Sequence, residues 1–444
     1  MKIIIVGAGE VGRYVAKLLA SERKDVVLLD ENPENLTELD NNYDLMTRVG
    51  SPTSINDLKL CGLKKNIFIA VTPDESRNIT ACILANSLGA AKTIARINNY
   101  EYLLPDNQEF FRKLGINTLI YPEALAAVEI VDSVKRGWMH EFRSFGNGEM
   151  VLIGLKVGEG ALILNKPFKT GFFNHSFYRI VAIKRGNRTL IPKGADEIKA
   201  NDIVYFICPK GNEEKIRLDT AKPPIDIKKL IIMGGGKIAY KTVQNLSDNY
   251  SIKIIEKNKV RCRFLAEKSP SNVLIINGDG RNIELMKQEG IADADAFMAV
   301  TGNSETNVFA CLAAKRFGVR KTIAEVENID YIDLAESLDI GTIINKKLIA
   351  ASNIYKCMLD EDALNVNCLT YSDALVVEYA VKKGDKITKG CVRELILPDN
   401  VNIGGIIRDG EGFVVDGDTV AHEGDHVVLF CTSASMPKVA DFFQ

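Results

Sequence analysis

The chain is poor in the residues that most often carry chemistry. It has one tryptophan and four histidines in 444 residues. The histidines, His140, His175, His422 and His426, sit in no recognisable catalytic context, so a solvated or packing role is expected for each. Nine cysteines occur without a C-x-x-C pair, which argues for a reducing compartment rather than a disulfide framework. No run approaches the roughly 18–20 apolar residues that cross a bilayer. Neither sign of charge is in surplus, with 56 Lys and Arg against 58 Asp and Glu. A protein that mainly coats nucleic acid needs a local excess of Lys and Arg, so no nucleic-acid partner is expected. The chain enters at once into Met1-Lys2-Ile3-Ile4-Ile5-Val6, which lacks the pattern of a signal peptide. The expectation is a cytoplasmic protein of about three or four domains.

What the sequence has is repetition. Ile3-Ile4-Ile5-Val6-Gly7-Ala8-Gly9-Glu10-Val11-Gly12 recurs as Leu230-Ile231-Ile232-Met233-Gly234-Gly235-Gly236-Lys237-Ile238-Ala239, an offset of 227 from Gly7 to Gly234. Ala70-Val71-Thr72 matches Ala299-Val300-Thr301, and Lys92-Thr93-Ile94-Ala95 matches Lys321-Thr322-Ile323-Ala324, both at 229. Residues 198–206 lie opposite 420–430, with Asp202 on Asp425 at an offset of 223. The chain is a tandem duplication of a unit of roughly 220 residues.

In the first part of each unit, short apolar runs (3–6, 26–29, 67–71, 93–95 and 118–121) alternate with helical patterns such as 12–23. The runs are continuous rather than alternating, as in strands of a parallel sheet covered on both faces. This is βαβ order, hence an α/β, Rossmann-like doubly wound sheet. The second part reads as a small α+β module, with strands at 151–157, 179–184 and 202–208 punctuated by glycines. Lys222-Pro223-Pro224 is the clearest linker, because two prolines disfavour helix and sheet. The expected domains are 1–140, 141–224, 225–360 and 361–444.

The glycine loop after the first strand meets separate physical demands. Gly7 allows a tight turn, Gly9 lets backbone N–H groups approach a pyrophosphate, and Gly12 lets helix and strand pack closely. The helix N-terminus adds partial positive charge. Asp30, ending the next strand, would accept hydrogen bonds from ribose hydroxyls and repel a 2′-phosphate. That favours NAD(H) or adenine nucleotides over NADP(H). The second copy keeps Gly234 and Gly236, with Ala239 third and Glu256 as the acid.

No catalytic or metal-ligating residue is assigned. Cys82 with Cys311, and Cys208 with Cys431, correspond between copies within apolar patterns that suit small core residues. Asp360-Glu361-Asp362 lacks the spacing of an ion-binding loop and reads as a solvated helix end.

Gly7-Ala8-Gly9-Glu10-Val11-Gly12, Asp30, Gly50-Ser51-Pro52-Thr53, Ala70-Val71-Thr72, Asn78 and Ala95-Arg96, each unit closing with a small β-rich module, together resemble the TrkA family. These are the tandem RCK (KTN) proteins of Trk potassium uptake systems, and the likeness covers essentially the whole chain. It implies TrkA-N (Rossmann-like) and TrkA-C lobes. It also implies a regulator on the inner face of the cell membrane. A dimeric or tetrameric ring beneath a TrkH-like potassium-translocating subunit would have its conformation biased by NAD(H) or ATP/ADP. Carried over, the phosphate cradle is Gly7, Gly9, Glu10, Val11 and Gly12, and the ribose ligand is Asp30. Ser51 lies on the adenine side, Thr72 and Pro73 near the phosphates or distal ribose, and Arg96 toward phosphate or a neighbouring module. The second-copy positions are Gly234, Gly236, Lys237, Ile238, Glu256, Asp279 and Thr301.

Two departures stand out. Asp74 and Glu75 fall one place early against the family's T-x-x-D-E-x-N segment and are not assigned to the site. Arg96 is matched by Glu325, a charge reversal at a position expected to face phosphate, so the first copy is expected to bind more tightly. The apolar stretch 125–131 is expected to be an assembly face, since in this family that helix crosses to a neighbouring N-lobe. The competing readings are an NAD-dependent dehydrogenase, for which the sequence offers no evident catalytic group, and a free-standing nucleotide sensor.

Overall fold

A run such as Ile3-Ile4-Ile5-Val6 has no polar side to show to water and must be covered on both faces. In the computed structural model, which describes all residues except 174, 175, 187, 359–362, 373, 399, 433, 434 and 444, such runs form the middle of two six-stranded parallel sheets. The first repeat runs β1 (Ile3–Val6), α1 (Glu10–Ser21), β2 (Val26–Asp30), α2 (Glu34–Asn42), β3 (Met46–Val49), α3 (Ile55–Leu60), β4 (Ile67–Ala70), α4 (Glu75–Ser87), β5 (Lys92–Arg96), α5 (Pro105–Lys113), β6 (Thr118–Ile120) and α6 (Pro122–Lys135). Its sheet order is β3-β2-β1-β4-β5-β6, the doubly wound arrangement, with the order reversing between β1 and β4. Ile4, Val6, Phe68 and Ala70 are buried with Leu58, Ala81 and Cys82 from the covering helices.

The first small module contains β7 (Glu141–Phe145), β8 (Met150–Lys156), β9 (Arg179–Arg185), β10 (Arg188–Leu190), β11 (Ile203–Pro209) and α7 (Glu213–Asp219). Its strands are antiparallel, in the order β10-β9-β11-β8-β7. The linker at 222–224 carries no helix or strand and leads into the second repeat. There the elements are β12 (Lys229–Met233), α8 (Lys237–Asn245), β13 (Ser251–Glu256), α9 (Lys259–Lys268), β14 (Val273–Asn277), α10 (Ile283–Gln288), β15 (Ala296–Ala299), α11 (Ser304–Arg316), β16 (Lys321–Glu325), α12 (Ile332–Ser337), β17 (Thr342–Ile344) and α13 (Lys346–Met358). The order β14-β13-β12-β15-β16-β17 repeats the first sheet strand for strand. The chain closes with β18 (Ala363–Cys368), β19 (Ala374–Ala380), β20 (Val401–Arg408), β21 (Glu411–Val414), β22 (His426–Thr432) and α14 (Met436–Ala440), with β19, β22, β20 and β21 adjacent in that order.

The duplication reaches individual polar contacts. In the first small module the Arg185 guanidinium donates to both oxygens of the buried Asp202 carboxylate, at 2.9 and 2.7 Å. In the second, Arg408 holds Asp425 at 2.8 and 2.7 Å. Both carboxylates are 2% exposed, a burial that an aspartate tolerates only when paired.

The chain divides into two compact units: Met1–Pro122 with Lys347–Cys368 and Cys431–Phe442, and Glu123–Lys346 with Leu369–Phe430 and Phe443–Gln444. Nearly all of α6 therefore belongs with the second parallel sheet, and nearly all of α13 with the first. In the first unit, the Tyr355 hydroxyl on α13 donates to Glu22 at the end of α1, and the Lys92 ammonium donates to the Cys357 carbonyl. In the second, Ser133 on α6 donates to the Thr342 hydroxyl at 3.3 Å, and Glu129 pairs with Arg143 at 3.1 Å. The helix that carries the apolar stretch 125–131 thus groups with the N-lobe of the other repeat within the same chain, with Ser133 in contact with β17. Among the described residues no helix is long and apolar enough to cross a membrane.

Candidate functional site

The glycine loops sit where β1 and β12 turn into α1 and α8. Gly7 and Gly234 have φ of +100° and +101°, in the left-handed region that disfavours side chains. A Cβ on Gly12 would lie 1.9 Å from the Gly7 carbonyl oxygen, so this glycine is required for the loop to close on its helix. Gly9 faces open space, with no heavy atom within 4 Å of where a Cβ would stand. Neither α1 nor α8 is capped by a side chain at its glycine N-cap. The helix N–H groups, together with that open space, leave room and donors for a phosphate.

The acids are tied to the loops. Asp30 Oδ2 accepts the Ala8 N–H at 2.6 Å, while Oδ1 accepts the Asn32 N–H at 2.9 Å and the Asn35 amide at 3.1 Å. Glu256 does the same one methylene further out, accepting the Gly235 N–H at 2.7 Å and the Asn258 N–H at 2.6 Å. Each acid stands at the tip of the strand beside the loop, at the height where a ribose joins a pyrophosphate in this fold.

Of the seven second-copy positions, Gly234, Gly236, Glu256, Asp279 and Thr301 line one cavity of about 550 Å³. Lys237 and Ile238 are not in its wall. Ile238 is buried in the core, as Val11 is in the first copy, so Ile238 and Val11 offer only backbone to the loop. Asp279 is clamped by Arg281 through contacts of 2.7–3.1 Å. That guanidinium, helped by the Arg281 N–H, holds the Asp279 carboxyl down at about 2.

Thr72 and Thr301 are set by a duplicated network. Asn78 Oδ1 accepts the Thr72 N–H at 2.9 Å and the Thr72 hydroxyl at 2.7 Å, and the Asn78 amide donates to the carbonyls of Thr72 and Arg96, each at 2.9 Å. Asn307 repeats every contact, to Thr301 at 3.1, 2.6 and 3.1 Å and to the Glu325 carbonyl at 2.8 Å. These buried asparagines lace the ends of the fourth and fifth strands together. Asn307 was legible at the 229 offset from Asn78, yet the sequence reading left it out, along with Lys257, Gly278, Gly280, Arg281, Asn303 and Thr306 of the cavity wall.

The remaining first-copy positions have contacts of their own. The Ser51 N–H donates to Asp57 at 2.9 Å. The Pro73 carbonyl accepts the Asn98 amide at 3.1 Å. The Glu10 carboxylate pairs with Lys347 of α13, leaving its backbone to the loop. Among the described residues, Arg96 Nε is buried without a hydrogen-bond partner. Asp74, one of the two acids not assigned to the site, caps α4 by accepting the N–H groups of Ser76 and Arg77, and Glu75, the other, accepts those of Asn98 and Asn99.

At the position expected to carry a reversed charge toward phosphate, Glu325 lies inside the lobe. It is 2% exposed, outside the cavity wall, and pairs with Lys346 at 3.2 Å. Burial raises its carboxyl to about 7 despite the opposing Lys346 charge. The reversal relative to Arg96 is absorbed inside the lobe and gives no ground for a weaker second site.

Of the four histidines, His140 is held well below its ordinary value, first by burial and then by Lys321. His426 Nδ1 lies 2.9 Å from Glu378, and the His422 N–H donates to Asp425 at 2.7 Å. His175 and the acids 360–362 lie outside the described residues. Cys82 and Cys311 are buried beneath their sheets, and burial pushes the Cys311 thiol up to about 12.

Two parallel sheets with acid-tethered glycine loops, each followed by an antiparallel module, define a tandem Rossmann-type nucleotide-binding architecture. The TrkA-N domain family matches residues 3–122 and 230–346, and the TrkA-C domain family matches 152–218 and 376–444. Over all of its length the chain is 30% identical to the Trk system potassium uptake protein TrkA of Haemophilus influenzae, covering 99% of that protein. Over 97% of its length it is 29% identical to the protein of the same name from Halomonas elongata, covering 95% of it. Among solved structures, a GsuK channel bound to NAD superposes over the whole chain and 78% of the channel chain, with a TM-score of 0.58 and 16% identity. The chain belongs to the TrkA family of Trk system potassium uptake proteins.

Proposed function

We propose that this protein is the nucleotide-binding regulatory subunit of a Trk-type potassium uptake system, acting by ligand-biased conformation rather than by catalysis. One observation carries the reading: the acid-to-loop tether, Asp30 to Ala8 and Glu256 to Gly235, occurs twice beside helix N-termini without side-chain caps. NAD(H) or ATP/ADP would place phosphates on the loop N–H groups of Gly9–Gly12 and Gly236–Ala239 and a ribose against Asp30 or Glu256. Thr72 and Thr301, oriented by Asn78 and Asn307, would stand at the far side of the phosphates. Bound nucleotide supplies the charge that these N–H groups receive, and the chain's own groups fix where it sits.

A ligand shifts an equilibrium only by its differential affinity for the two states. Carrying a population from 1:99 to 99:1 takes about 5.5 kcal/mol, a total that several coupled sites in a dimeric or tetrameric ring can share. The partner in this reading is a membrane potassium-translocating subunit, with this chain peripheral on its cytoplasmic side. Support comes from the family membership and from the two-lobed likeness to an RCK channel.

The test is affinity purification of the tagged chain from membranes, followed by potassium uptake in vesicles with and without it. Recovery of a potassium-translocating protein, with uptake that changes when ADP or NAD is supplied, is expected. A chain that recovers no such protein would leave a free sensor, and nucleotide-dependent hydride transfer would leave a dehydrogenase.

A further inference from the structure

Helix α9 reads Lys259-Val260-Arg261-Cys262-Arg263-Phe264-Leu265-Ala266-Glu267-Lys268, four cations against the single acid Glu267. Cys262 and Leu265 are its buried side. The opposite face carries Val260, Arg263, Phe264 and Glu267, which stand three or four residues apart and so lie side by side. Val260 is 75% exposed and Phe264 37% exposed. Lys259, Arg263 and Lys268 are exposed too, and among the described residues none of them pairs with a carboxylate.

Arg261 is committed inward instead. Its Nε donates to the Gly235 carbonyl at 2.6 Å, and its guanidinium lies 4.5 Å from the centre of the Phe264 ring. Tyr240 of α8 meets the same ring edge-on at 5.3 Å. Phe264 is thus fixed in place with part of its ring left to solvent. None of this belongs to the fold as such, because the counterpart helix α2 carries acids and no Lys or Arg. The chain as a whole balances its charges, so the cations are a local concentration on one helix of the second repeat.

The mixture of side chains selects the partner. Exposed cations without partners attract a dense negative surface. Val260 and Phe264 gain nothing from a bare polyanion, whose outer face is phosphate and water. A leaflet of acidic phospholipid supplies both needs, anionic headgroups with acyl chains beneath them. We infer that α9 seats directly on an anionic phospholipid surface, with Lys259, Arg263 and Lys268 on headgroups and Val260 and Phe264 at the acyl boundary. The contact is additional to the membrane protein partner proposed above and does not depend on nucleotide.

The experiment is flotation of the full chain with protein-free vesicles of phosphatidylglycerol and phosphatidylcholine, against vesicles of phosphatidylcholine alone. Binding to the anionic vesicles, weakened by salt, is expected. The triple variant Lys259→Gln, Arg263→Gln, Lys268→Gln is expected to bind on the order of a hundredfold more weakly, about fivefold for each cation, with its melting temperature unmoved. Glu267→Gln is expected to bind more tightly than the unaltered chain. No binding to anionic vesicles, equal binding to neutral ones, or undiminished binding by the triple variant overturns the inference. Unchanged vesicle affinity in Val260→Asn overturns it as well, because the face would then be a bare cation patch of the kind that meets nucleic acid or an acidic protein.

Discussion

Lys92 and Lys321 open the fifth strand of their respective repeats, and each donates to a carbonyl at or just beyond the end of the helix contributed by the other repeat. Lys92 reaches the Cys357 carbonyl in the last turn of α13, and Lys321 reaches the Met139 carbonyl just after α6 at 2.6 Å, with the Thr342 hydroxyl at 2.9 Å. Lys92 thereby meets the negative end of the α13 dipole, whereas Lys321 holds the chain four residues beyond α6 through the hydrogen bond itself. The same lysine therefore anchors α13 on the first lobe and α6 on the second.

The two lysines differ in burial, and that difference is measurable. Lys321 is 4% exposed, and burial depresses its ammonium to about 7. Between that value and the ordinary lysine range, the unfolded chain holds a proton that the folded chain has released, so stability rises with pH across this window. Relative to Lys321→Met, the wild type should gain on the order of 2 kcal/mol between pH 7 and pH 10 in urea titrations. A constant difference would show that Lys321 stays charged.

Glu22 titrates in the opposite sense. Burial raises its carboxyl to about 7, against the lowering influence of the Tyr355 hydroxyl. The folded state then binds a proton that the unfolded state has lost, so its contribution is full below about pH 4.5 and is lost as pH rises through 7. Glu22→Gln should stabilise the protein at pH 8 by up to roughly 3 kcal/mol and leave it unchanged near pH 4.5. Melting temperatures at the two pH values decide it.

Asn78→Ala removes four hydrogen bonds at a site that is 1% exposed. A cost of about 2–3 kcal/mol is expected from the backbone groups left buried and unpaired. Nucleotide affinity should fall in the first repeat only, and Asn307→Ala should do the same in the second. Equal loss at both sites from one substitution would mean that the networks do not act locally.

Gly12→Ala forces a methyl into the 1.9 Å gap at the Gly7 carbonyl. Overpacking of this kind costs about 1–3 kcal/mol and displaces the loop. First-site binding should disappear in a titration while the second site, which already carries Ala239, keeps its affinity.

Much of this was legible in the sequence because the central strands are continuous apolar runs, which only a sheet covered on both sides can hide. β3 was missed because Met46-Thr47-Arg48-Val49 lies at a sheet edge and is only partly buried, so it carries no such run. β7 and β10 are edge strands of their sheet and gave equally little signal. The acids Asp30 and Glu256 were readable from their place at strand ends, whereas the asparagine networks needed the fourth and fifth strands side by side. Glu325 misled because alignment with Arg96 fixes a position along β16 but not what pairs with it. Lys346, supplied by the start of α13, is the neighbour that made the difference.

The central claim is that both repeats hold nucleotide through their acid-tethered loops. The most direct measurement is calorimetric titration of the full chain with ADP and NAD, alongside Asp30→Ala, Glu256→Ala and the double variant, each with its melting temperature recorded. The account predicts two sites per chain, one remaining in each single variant and none in the double variant, with the fold intact. Nucleotide binding that persists undiminished in the folded double variant would contradict it.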